Sequence, residues 1–130
     1  MSGMSRTVLI LEDDADIRAA LSALLDDAGM TVAAAAHGLA GLELLERIDT
    51  PCLIFLDWLM PVMSGREFLE CLRASPRTCT VPVVVMTAGE SEPPPGIAAF
   101  LRKPFGISQV HELLARYCDR GHGESPWTDA

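Results

Sequence analysis

The sequence is punctuated by short apolar runs that stop abruptly at a polar or charged residue. Thr7 to Leu11 runs into Glu12, Asp13 and Asp14, and Cys52 to Leu56 runs into Asp57. Val81 to Met86 ends at Thr87, and Ile97 to Leu101 ends at Arg102 and Lys103. A weaker, alanine-rich run covers Thr31 to Ala35. Unbroken apolar runs of this length predict strands buried on both faces, which occur in parallel sheets covered by helices. Between the runs, apolar residues recur at helical spacing. Ile17, Leu21, Leu24, Leu25 and Ala28 form one stripe, with Gly29 placed to end the helix; Leu39, Leu42, Leu45 and Ile48 form another after a turn at His37 and Gly38. Phe68, Leu69 and Leu72 mark a third, and Val110, Leu113, Leu114 and Tyr117 a last one.

Strand–helix alternation with right-handed crossovers predicts an α/β fold: a flavodoxin-like, doubly wound, five-stranded parallel sheet in the order 2-1-3-4-5. The length of 130 residues suits a single domain, placed at residues 6–118 between flexible termini at 1–5 and 119–130. No apolar run approaches the ~20 residues of a membrane span, and the opening residues lack a signal-peptide core. The expectation is therefore a cytoplasmic protein that does not enter a membrane. A net charge of −8 without a Lys/Arg cluster lacks the electrostatic footprint of a nucleic-acid binder. Cys52, Cys71, Cys79 and Cys118 have no CxxC spacing, so the reading is packed or idle thiols, with neither zinc nor a disulfide framework.

The polar residues that remain to be explained all fall at the carboxyl ends of strands. In this topology the first and third strands are neighbours, and the crevice at the switch point lies between them. Adjacent strands lie ~4.8 Å apart, so Asp13 and Asp57 would face one another across that crevice. Carboxylates so close resist joint ionisation unless a cation intervenes, and a few hard oxygen ligands beside an open position suit Mg²⁺. Each residue alone has an ordinary explanation. Asp14 or Asp16 is a helix cap, Thr87 a β-former, Lys103 a solvated charge. Five complementary groups at one sheet edge are harder to assign to chance.

Four stretches carry a family resemblance, in order: V-L-I-L-E-D-D (8–14), L-D-W-L-M-P-V-M-S-G (56–65), V-V-V-M-T-A (83–88) and F-L-R-K-P-F (100–105). Together they resemble a response-regulator receiver domain of two-component signalling, over residues 6 to about 118. The resemblance implies that Asp57 is the phosphoacceptor, attacking a phosphohistidine or a small phosphodonor. It implies Mg²⁺ held by Asp13, Asp57 and the backbone carbonyl of Leu59, with Glu12 acting through water. Lys103 and Thr87 would meet the phosphoryl oxygens, Thr87 and Phe100 would form the conformational switch, and the Lys103–Pro104 bond would be cis. Such a protein is a signalling receiver rather than an enzyme, catalysing only its own phosphorylation and dephosphorylation. Its partners would be a sensor histidine kinase or histidine phosphotransfer protein and a downstream protein target, docked on a face such as Ala19, Ser22, Ala23 and Asp26; the protein would be a monomer or weak dimer.

Between Thr87 and Lys103 the chain departs from the family pattern. The segment is short and contains Pro93, Pro94 and Pro95, which cannot sit inside a helix. The fourth helix is therefore expected to be shortened or missing, with a mobile loop in its place. A flavodoxin would need a phosphate-cradling loop where Glu12, Asp13 and Asp14 would repel phosphate. A haloacid-dehalogenase-type phosphatase would need a second Asp where Leu59 stands. The remaining alternative is a receiver-shaped, phosphorylation-independent protein-binding module.

Overall fold

A computed structural model describes residues 6–89 and 92–118. Five strands, β1 (Thr7–Leu11), β2 (Thr31–Ala35), β3 (Leu53–Asp57), β4 (Val83–Thr87) and β5 (Ala99–Arg102), form one parallel sheet in the order β2-β1-β3-β4-β5. The helices are α1 (Ala15–Asp27), α2 (Gly38–Leu45), α3 (Gly65–Arg73) and α4 (Ile107–Tyr117). Because side chains alternate along a strand, each strand feeds two separate cores. On one face Val8, Ile10, Phe55, Val84, Met86 and Leu101 pack beneath α1 and α4. On the other, Leu9, Leu11, Ile54, Leu56, Val83 and Val85 pack beneath α2 and α3. The three central strands are buried throughout, as their unbroken apolar runs require.

Local chemistry sets the helix ends. Asp14 caps α1, its Oδ1 accepting from the backbone N–H of Asp16 at 2.9 Å and of Ile17 at 3.0 Å. Past α1 the chain turns at Gly29, whose φ of +86° is a conformation that L side chains resist. The His37 Nδ1 accepts from Ala40 N–H at the start of α2, and Ser64 and Glu67 form a reciprocal capping box at α3. Arg77 closes the end of α2 from 29 and 32 residues away, donating to the carbonyls of Ile48 and Leu45.

Strand boundaries differ from expectation in two places. The fourth strand begins at Val83 rather than Val81, because Pro82 has no N–H to give the ladder. Ile97 lies outside the fifth strand, and Ala98 N–H reaches Val83 O at 2.8 Å just before β5 starts. No helix occurs among the described residues between Thr87 and Ala99, consistent with three consecutive prolines. Arg73, at the end of α3, ties the connection before β4 to the end of that segment. Its guanidinium donates to the carbonyls of Cys79 (3.1 Å), Val81 (2.9 Å) and Gly96 (3.1 Å).

The cysteines depart from the expectation of packed or idle thiols. Cys52, just before β3, and Cys118, just after α4, are joined in a disulfide with Cα atoms 5.4 Å apart, while Cys71 and Cys79 are free and exposed. A bridge across a sequence separation of 66 removes chain entropy from the unfolded state equivalent to about 4 kcal/mol. The expected mobility of the termini concerns residues 1–5 and 119–130, outside the described range.

Close approach of α2 to the sheet depends on Gly41, since a Cβ there would collide with the Leu11 Cδ1 methyl. Leu11 is fully buried and has nowhere to retreat. Gly41→Val should therefore lower stability by about 1–3 kcal/mol. In urea the midpoint should fall with the slope unchanged.

Candidate functional site

Parallel strands deliver their carboxyl ends to one edge, and the unexplained polar residues of the sequence lie there. Leu11 pairs with Leu56 across β1 and β3, which brings the residues after β1 beside the end of β3. Carboxylate oxygens of Glu12, Asp13 and Asp57 all lie within 4.8 Å of one another. Glu12 and Asp57 are buried, at 0% and 3% exposure, while Asp13 is exposed. Lys103 arrives from beyond β5, placing Nζ 2.7 Å from Glu12 Oε1 and 3.5 Å from Asp57 Oδ1. The Lys103–Pro104 bond is cis, and Lys103 N–H donates to Thr87 O at 2.9 Å.

Backbone groups complete the pocket. Glu12 Oε2 accepts from Asp14 N–H at 3.1 Å, and Asp57 Oδ1 from Leu59 N–H at 3.3 Å. Thr87 is fully buried, its Oγ1 accepting from Gly89 N–H at 3.0 Å, so its own proton remains available to donate. The Leu59 side chain is 62% exposed at the rim. Phe100 stands apart from this cluster, half-buried on the α2–α3 side of the sheet with the Arg102 guanidinium 5.6 Å from its ring centroid.

Two supports escape a reading of side-chain chemistry. Gly65 enters the sequence pattern only as a motif letter, yet a Cβ on it would sit 2.9 Å from both Asp57 O and Trp58 Cα. It lets α3 press against the backbone that carries Asp57. Arg18 donates from Nη1 to Glu12 O at 2.8 Å and so holds the acidic turn from α1. A cation three to four residues into a predicted helix is the only available signal for it.

The charges set the protonation state. Burial pushes the Asp57 carboxyl up to about 7, with Asp13 and Glu12 adding to the shift and Lys103 opposing it. The hydrogen bond with Asp57 holds Asp13 below its ordinary value, against a smaller effect of burial. Burial works against the Lys103 ammonium, but Glu12 and Asp57 outweigh it and leave its pKa raised. Three carboxylates thus share one ammonium, and burial favours the protonated form of Asp57. The donor set is oxygen-only, compact and open on the Asp13 side, which fits a small hard divalent cation.

Fold and site together define a doubly wound α/β protein with an acidic, lysine-bearing pocket at its switch point. The family model for the response regulator receiver domain matches residues 8–115, and the chain belongs to that family. An uncharacterized 14.6 kDa protein in the sodA1 3′ region of Leptolyngbya boryana is 32% identical over 117 residues, 85% of this chain and 88% of that protein. The phosphate regulon transcriptional regulatory protein PhoB of Klebsiella pneumoniae is 34% identical over 119 residues, 87% of this chain; the chain spans only 50% of PhoB. Among solved structures, the chemotaxis protein CheY4 of Vibrio cholerae superimposes with a TM-score of 0.77 at 30% identity, covering 88% of this chain and 99% of that one. The receiver domain of the Pseudomonas aeruginosa sensor kinase PA1611, crystallised with magnesium in its active site cleft, shares the fold (TM-score 0.79, 24% identity, 91% and 99% coverage). Among the described residues no helix is long and apolar enough to cross a membrane.

Without metal, the elevated Asp57 pKa has a consequence for stability. Folded Asp57 keeps a proton up to about pH 7, whereas its ordinary pKa is 3.8. The folded state therefore loses stability as pH rises between those values. The Asp13 shift has the opposite sign, but it depends on the protonated Asp57 and fades as that group ionises. Asp57→Asn should flatten this slope and, at pH 8, raise stability by about 1–3 kcal/mol in denaturant titrations run with a chelator.

Proposed function

We propose that this chain is a phosphoacceptor receiver of two-component or phosphorelay signalling, phosphorylated on Asp57 in a Mg²⁺-dependent reaction. The observation that carries the reading is the pocket itself, with Asp57 held between the Glu12–Asp13 pair and the Lys103 ammonium. Glu12, Asp13, Asp57 and the Leu59 carbonyl are the groups that would hold the ion. A bound divalent cation would supply the positive charge that lets these carboxylates ionise together at neutral pH.

Ionised Asp57 then acts as nucleophile. A carboxylate oxygen bonds to phosphorus as the P–N bond of a phosphohistidine breaks, and the departing imidazole nitrogen keeps the bonding electrons. Such transfers depend on positioning and charge neutralisation. Lys103 is within reach of the new phosphoryl oxygens, and the Thr87 hydroxyl has a proton to give them. Withdrawing Thr87 toward the phosphoryl group would break its contact with Gly89 N–H and bias the loop after β4. Phe100, half-buried beneath Arg102, would answer by repacking, since it has no hydroxyl. The output would be protein–protein contact in the cytoplasm, with the phosphodonor a sensor kinase or phosphotransfer protein.

Incubation with acetyl phosphate and Mg²⁺ should add one phosphoryl mass to the wild type. Asp57→Asn and a metal-free control should show none. Absence of the adduct even with a phosphohistidine donor would identify a phosphorylation-independent binding module instead. A second expectation concerns lifetime. Leu59 and Gly89 flank the path of an attacking water, and neither side chain can orient one. The phosphorylated form should persist for minutes or longer when its decay is followed by mass; loss within seconds would contradict this.

A further inference from the structure

Helix α4 is held at both ends. Its first residue, Ile107, comes directly after Lys103, Pro104, Phe105 and Gly106, so one end hangs from the lysine of the acidic pocket. Its other end is bonded through Cys118 to Cys52, at the foot of the strand that carries Asp57 at its top. Two observations set this bridge apart from the staples of small disulfide-dependent domains. Apolar clusters far larger than the two cysteines fill both faces of the sheet, so the bridge is not the core. The bridge also lies at the end of an element rather than within one. Cys118 is the C-cap of α4, and its N–H bonds only Leu114 O, at 2.8 Å. Fraying of a single turn would bare its sulfur.

Closed, the two residues are shielded, Cys52 being 8% and Cys118 1% exposed. Opened, each thiol would remain beside Leu25, Met30 and Leu114 as a small hydrophobe, so reduction need not unravel the core.

We propose that Cys52 and Cys118 form a reversible thiol–disulfide site that reacts with small thiols and disulfides of the glutathione type, and that its oxidation state sets how firmly the end of α4 is held to the sheet. In closing, the Cys118 thiolate attacks one sulfur of the small disulfide, breaking its S–S bond and releasing one small thiolate. The Cys52 thiolate then attacks the Cys118 sulfur of the mixed disulfide and expels the second. The protein loses two electrons and two protons, and the small disulfide becomes two thiols; opening is the reverse. Exchange proceeds through the frayed end of the helix, so anything that steadies α4 slows it in both directions.

The test equilibrates the full-length folded chain in glutathione buffers from fully reduced to fully oxidised, quenches in acid, alkylates in denaturant so that buried thiols are reached, and maps label by mass. Exposed Cys71 and Cys79 can take up glutathione only as mixed disulfides, and its added mass on their peptides separates that reaction from closure of the bridge. Cys52 and Cys118 should lose label together as oxidised glutathione rises, and amide hydrogen exchange over residues 107–118 should slow several-fold on closing. Cys118→Ser should exchange at the rate of the reduced wild type in every buffer. Label on both cysteines under full oxidation, protection of both under full reduction, or helix exchange indifferent to their state would each overturn the proposal. So would a Cys118→Ser variant as protected as the oxidised wild type. None of these readouts depends on phosphorylation of Asp57.

Discussion

The ion pair between half-buried Lys103 and buried Glu12, 2.7 Å from nitrogen to oxygen, is the contact on which the rest of the pocket depends. Glu12 lies just past β1 and Lys103 just past β5, so the pair reaches over the ends of β3 and β4. A fully buried carboxylate is costly unless a charge of opposite sign meets it, and removing one partner of such a pair typically costs about 3–5 kcal/mol. Glu12 takes most of the ammonium's attention, leaving Asp57 with a weaker contact at 3.5 Å. Burial, with Asp13 and Glu12 alongside, then raises the proton affinity of Asp57, and Lys103 only partly opposes it. With its three carboxylates ionised the pocket is two positive charges short, a deficit that matches a divalent cation.

The same economy shapes the scaffold. Helix α3 needs Gly65 to press against the Asp57 backbone, and α2 needs Gly41 to settle over Leu11. Where the sheet has no covering helix after β4, Arg73 braces the segment through Gly96 O while its other bonds hold the carbonyls of Cys79 and Val81 before β4. Phe100 is left half-buried on that side, with Arg102 across its ring and also bonded to Gly89 O at 3.0 Å. Gly89 is therefore contacted from Thr87 on one side and Arg102 on the other. The loop after β4 is wired to the pocket and to the edge strand together.

Most of this was legible in the sequence because a parallel sheet gathers the carboxyl ends of its strands at one edge. Glu12, Asp13, Asp57, Thr87 and Lys103 needed only the strand ends and the topology to be brought together, and three prolines were enough to forbid a helix. The features that escaped depend on distances that periodicity does not encode. Cys52 and Cys118 read as hydrophobes in apolar patterns, and only the packing of α4 across the foot of β3 makes them neighbours. Arg77 and Arg73 act on carbonyls far along the chain, where a long side chain gives no local signature. Gly65 stood in plain view in a motif, but its reason, contact with the backbone of Asp57 and Trp58, is visible only in three dimensions.

The disulfide also divides the chain topologically. Residues 52–118 become a covalent ring when it is closed. Asp57, Thr87 and Lys103 lie inside that ring, while Glu12 and Asp13 belong to the open arm before it. A peptide-bond nick in the proline segment between β4 and β5 would leave the two pieces joined, each still carrying its share of the pocket. The arm contributing the acidic pair joins the ring by the peptide chain entering Cys52, and the sheet and its ion pair hold it in place against the pocket. In the oxidised molecule Asp57 and Lys103 thus share one closed loop of chain, and the acidic pair reaches them from an arm outside that loop.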